Sequence, residues 1–123
     1  MYWLVLDFEA TCDQGPDRSK VKMPAVELIE FPVALVQATD METISIFHSF
    51  VRPMVCPEVS GFCTALTEIT QDIVDSSMEL PDVLSHFNTW TCANGVCANN
   101  TTVVAFGAWD VKKGLPRACA AAD

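Results

Sequence analysis

The sequence predicts an α/β domain in which a mixed β-sheet is flanked by helices, and three observations predict it. Apolar segments at 4–6, 27–38, 43–51 and 102–106 have the length and residue types of strands. Residues 80–90 carry an apolar stripe at helical spacing. A short polar turn separates the second and third segments, whereas a long stretch containing the helix separates the third and fourth; that is the pattern of a hairpin followed by a crossover.

The first element is Leu4-Val5-Leu6-Asp7-Phe8-Glu9-Ala10-Thr11. Strand alternation puts Asp7 and Glu9 on one face where the hydrophobic run ends. Like charges held that close are costly unless neutralised, and a hard divalent cation such as Mg²⁺ or Mn²⁺ suits two carboxylates, so the pair reads as half of a metal site. The same pattern also fits a strand end running into an acidic loop. Cys12 to Pro24, with Gly15, Pro16 and Pro24, reads as an exposed loop.

Glu27 to Ala38 predicts a long second strand, Asp40-Met41-Glu42 a hairpin tip, and Thr43 to Val51 a third strand. Pro32 cannot donate to a sheet ladder and predicts a bulge or an unpaired position. Pro57 opens a crossover in which Phe62, Leu66, Ile69 and Ile73 have the spacing of a short helix buried along that side. Leu80, Val83, Leu84, Phe87 and Trp90 predict a firmer helix, with Pro81 in its first turn. Cys92 to Asn100 reads as a loop and Thr102 to Phe106 as a buried strand ending at Gly107; Val111 to Ala122 begins a helix interrupted by Gly114 and Pro116. Ligands gather at the carboxyl ends of strands in such sheets. Asp110 follows the fourth strand, so three carboxylates converge if the first and fourth strands are neighbours.

With 123 residues, half of them apolar, the chain fits one domain. Its 7 basic and 16 acidic residues give a net charge of -9, which argues against holding nucleic acid by a broad basic surface. Phosphate contacts are then local or carried by metal. The opening residues reach Asp7 too soon, without a basic flank, for a signal peptide or membrane span. The six scattered cysteines fit reduced thiols in a cytoplasmic or nuclear protein rather than a disulfide framework or a zinc site.

Five blocks in order carry a family resemblance: Leu6-Asp7-Phe8-Glu9-Ala10-Thr11-Cys12, Glu27-Leu28-Ile29-Glu30-Phe31-Pro32, Phe47-His48-Ser49-Phe50-Val51-Arg52-Pro53, Phe62-Cys63-Thr64 and Gly107-Ala108-Trp109-Asp110. They resemble the DEDDh 3'-to-5' exonucleases of ribonuclease H-like fold, most closely the branch of the ERI-1-type exoribonucleases and the prion-protein-interacting exonuclease. The resemblance implies a partial exonuclease domain over 1–119, with 120–123 a featureless alanine-rich tail. It implies two Mg²⁺ or Mn²⁺ ions, with Asp7 bridging both, Glu9 holding one and Asp110 acting on the second. It further implies substrate contacts at Ala10, Thr11, Trp109 and Val111. The substrate would be RNA 3' ends, with single-stranded DNA as a second substrate class.

The departures are equally specific. The family's fourth metal-binding aspartate and general-base histidine lie in a C-terminal His-x4-Asp pattern that this chain ends before, and neither His48 nor His86 stands at that position. Loss of a general base typically costs about 10² to 10⁴ in rate. Ala65 and Glu68 replace a glutamate and a glycine of the family pattern. The truncated sheet is expected to expose apolar surface and to need a protein partner as cover, with no role for a membrane. The competing reading is a catalytically dead isoform or interaction module that binds RNA ends or a partner without cleavage.

Overall fold

The computed structural model describes residues 1–12, 26–116 and 119. The order of elements is β1 (Tyr2–Leu6), β2 (Glu9–Ala10), β3 (Leu28–Gln37), β4 (Thr43–Arg52), α1 (Gly61–Thr67), α2 (Gln71–Asp75), β5 (Met78–Glu79), α3 (Leu80–Ala93) and β6 (Thr101–Ala105), followed by a π-helical turn at Asp110–Gly114. The loop expected after Cys12 falls mostly outside the described residues, as does the tail at 120–123.

One mixed sheet runs in the order β5-β4-β3-β1-β6, with β2 beside β3. The β3–β4 hairpin turns through Met41, whose φ of 65° is left-handed, while the Asp40 carboxylate accepts the Glu42 amide at 3.0 Å. The connection from β4 to β6 carries the helices and returns β6 parallel to β1, with Leu6 opposite Ala105. Neighbouring carboxyl ends follow from that register.

Pro32 is unpaired on one side only. Pairing of β1 with β3 stops at Leu6–Val33 and that of β2 starts at Glu9–Glu30, so Pro32 faces His48 on β4 and, among the described residues, has no partner on the β1–β2 side. No bulge forms there. One register shift lies at Ile29, because consecutive residues Glu9 and Ala10 face Glu30 and Leu28, and another lies at Ile44, because Leu35 and Val36 face Ser45 and Thr43.

On one face of the sheet, Leu4, Leu6, Phe8, Phe31, Val33, Leu35 and Val51 form the core with Leu80 and Val83 of α3. Leu84, Phe87 and Trp90 pack on it, as the stripe predicts. Ring contacts join the layers: Phe31 lies 4.5 Å from Phe8 and 5.1 Å from Phe87. The Trp90 indole also donates to the Ser45 hydroxyl at 3.0 Å, so its polar edge is satisfied at the core boundary.

Two expectations about burial are corrected. The crossover forms two short helices, separated where Glu68 adopts a φ of 64°, and it buries Cys63, Ile69 and Val74; Leu66 is 65% exposed, and Phe62 is exposed as well. Continuous periodicity fails across a left-handed residue. Nor is β6 a buried strand, because it occupies the sheet edge and leaves Val103, Val104 and Phe106 exposed. Across the opposite sheet face, Ile46, Ala34, Val5 and Val104 align on adjacent strands, and Ile46, Val5 and Val104 are exposed.

No helix among the described residues is long and apolar enough to cross a membrane.

Candidate active site

Asp7 and Glu9 are delivered as strand alternation requires. Phe8 between them is buried against Phe31, whereas Asp7 is exposed and Glu9 half-buried. Asp110 begins the π-helical turn beyond β6, and its side chain is buried. The Phe8 backbone favours its charged form, so the turn after β6 and the segment joining β1 and β2 interact electrostatically.

The electrostatics show convergence. Burial, followed by repulsion from Asp7, Glu30 and Asp110, raises the Glu9 carboxyl above its ordinary value. Asp110 is also raised, first by burial and then by Asp7, with the Phe8 backbone acting in the opposite direction. The three acids therefore share one field. Among the described residues, however, no group of three His, Cys, Asp or Glu side chains forms a ready metal cage. Their oxygen donors and mutual repulsion suit a hard cation, but the carboxylates would have to close around it.

The remaining predicted residues divide by role in the structure. Ala10 accepts the Cys63 thiol at its carbonyl, at 3.6 Å. Thr11 bonds Glu27 twice, donating its amide to the Glu27 carbonyl at 2.8 Å and accepting the Glu27 amide at its hydroxyl at 3.0 Å. Both contacts fix the chain leaving the acidic pair. Trp109 and Val111, on either side of Asp110, are exposed apolar residues. A Cβ at Gly114 would lie 2.6 Å from the Trp109 ring, so glycine permits the indole to lie against the turn. This glycine supports close packing within the π-helical turn instead of ending a helix.

Two further features lie beside the site. The buried Glu27 carboxylate accepts the amides of Met54, Val55 and Cys56 at 2.7 to 3.1 Å, anchoring the segment after β4. Glu30 faces Glu9 across the strands, and its carboxylate oxygen lies 2.8 Å from His48 Nε2. An isolated glutamate within an apolar strand signals a bonded carboxylate, but only the fold identifies its partner.

The RNase_T family model, described as Exonuclease, matches residues 4–123. ERI1 exoribonuclease 3 of Homo sapiens is 41% identical over 120 residues, covering 96% of this chain and 34% of the relative. The 3'-5' exoribonuclease 1 of Homo sapiens is 35% identical over 119 residues, covering 96% and 33%. Among solved structures, the nuclease domain of 3'hExo, a DEDDh family member bound to rAMP, matches with a TM-score of 0.88 and 34% identity, covering 98% of this chain and 59% of that one. A 3'-exonuclease structure concerned with 3'-end specific recognition of histone mRNA stem-loop matches with a TM-score of 0.87 and 33% identity, covering 98% and 41%. This chain belongs to the DEDDh 3'-5' exonuclease family and has its ribonuclease H-like fold. It spans about a third of the length of the curated relatives it matches.

Proposed function

We propose that this chain carries the acidic centre of a divalent-metal-dependent 3'-to-5' exoribonuclease acting on RNA 3' ends, with single-stranded DNA as a further substrate. The observation that carries the proposal is the adjacency of parallel β1 and β6, whose ends put Asp7, Glu9 and Asp110 in one field within an exonuclease-family chain.

The residues at this centre would hold two Mg²⁺ or Mn²⁺ ions, which would supply a more acidic water and charge stabilisation for hydrolysis of the terminal phosphodiester. In this reading Asp7 would be the shared ligand, Glu9 would hold one ion and Asp110 would serve the other. The Phe8 backbone favours the charged form of Asp110 that a cation would need. Ala10 and Thr11 set the path of the chain beside the substrate, and exposed Trp109 and Val111 offer apolar contact to a terminal base. Stacking is sequence-tolerant because every base has a face. The exposed Ile46–Val5–Val104 face supports a polypeptide partner as cover, and the cysteine usage supports a cytoplasmic or nuclear setting.

Decay of a 3'-labelled RNA with Mn²⁺ tests the proposal, using this chain, a C-terminally extended chain, and Asp7→Ala in each. Stepwise trimming by the extended chain and its loss in Asp7→Ala are expected. Trimming that survives Asp7→Ala would overturn the metal assignment, whereas RNA retained without trimming by both lengths would favour the non-catalytic module.

A further inference from the structure

Glu9 and Glu30 are Cα partners on adjacent antiparallel strands. Carboxylates directly opposite one another repel, and either could turn toward a cation beyond the strand ends. The protein gives Glu30 a partner of its own, although its charge still reaches Glu9. Its Oε2 lies 2.8 Å from Nε2 of His48, and Phe50 meets the imidazole edge-on at 4.8 Å. Phe50 is itself the β4 partner of Glu30, while His48 faces Pro32. The ring is thus fixed by the residue opposite Glu30 and by Glu30 itself. Its side chain is 43% exposed, so this polar contact sits at the surface of the sheet and outside its core.

We propose that His48 is a positioning residue that holds the Glu30 carboxylate back along β3 and β4, so that Glu9 alone of the facing pair is presented to the cation. The inference rests on the proposed metal-dependent function. His48 touches neither the cation nor substrate in this arrangement; it acts by denying Glu30 a place in the ligand shell. This assigns a use to a histidine that lies outside the general-base position of the family pattern.

Water-proton relaxation with Mn²⁺ alone tests the assignment, because each water retained by the bound ion contributes to the enhancement. Asp7→Asn should abolish the bound-ion signal; a signal independent of Asp7 would overturn the parent proposal, whatever the result at His48. With Asp7 dependence established, His48→Ala frees Glu30 to displace a water and should lower the enhancement. The His48→Ala/Glu30→Gln pair should restore it, and His48→Gln, which can still donate to Glu30, should retain it. His48→Asn is too short to make the contact and should reproduce the alanine result, giving a second variant if alanine impairs folding. An unchanged enhancement in both shortened variants, or a loss that Glu30→Gln does not reverse, would overturn the positioning role.

Discussion

Glu27 and Asp110 are both buried carboxylates, only 6% and 7% exposed, yet their surroundings differ. Three consecutive backbone amides converge on Glu27. Asp110 is favoured in its charged form by the Phe8 backbone alone and faces the like charge of Asp7. A buried acid saturated by amide donors holds two segments of chain together, whereas one left among other acids remains a candidate for cation binding. Burial alone would rank them equally; the identity of their neighbours separates structure from chemistry.

The largest expected stability effect falls on the saturated acid. Glu27→Ala strands the amides of the segment after β4 and should cost about 3 kcal/mol or more in denaturant unfolding. A loss below about 1 kcal/mol would mean that water replaces the carboxylate without difficulty. Asp110→Asn should differ in kind: relief of repulsion preserves or raises metal-free thermal stability at neutral pH, while the stabilisation produced by Mn²⁺ is lost. Equal Mn²⁺-induced shifts in Tm for wild type and Asp110→Asn would remove the distinction between the two carboxylates.

A smaller pH effect sharpens the same contrast. Because Glu9 and Asp110 have raised folded pKa values, the folded state binds their protons more tightly than the unfolded chain does. Their contribution therefore becomes less favourable as pH rises from the ordinary carboxylate range through the raised values. Metal-free thermal unfolding should show this loss, and Glu9→Gln should reduce it; an unchanged pH slope would contradict the shared field. The smallest effect is expected away from both acids. Glu68 has a φ of 64° where the family pattern has glycine, so Glu68→Gly should stabilise by about 1 kcal/mol without altering the Mn²⁺ response.

Much of this arrangement was legible in sequence because local chemistry repeats in the fold. Alternation presented Asp7 and Glu9 around buried Phe8, the stripe from Leu80 to Trp90 marked the face of α3, and Asp40–Glu42 marked the hairpin. The family blocks singled out Asp110, but its approach to Asp7 required β6 to return beside β1. Features depending on register were harder to read. Pro32 drew attention to the correct strand, whereas the extra residue is Ile29; Phe62 and Leu66 suggested a buried face that the break at Glu68 redirects to Cys63, Ile69 and Val74. The partners of Glu27 and Glu30 are distant in sequence, so their environments were set by tertiary structure.

Anomalous X-ray scattering from Mn²⁺-soaked crystals tests the central claim most directly. Manganese peaks within coordinating distance of Asp7, Glu9 and Asp110, absent from Asp7→Ala crystals, are predicted. Manganese bound away from these acids, with Asp110 still bonded only within the protein, would contradict the shared metal centre.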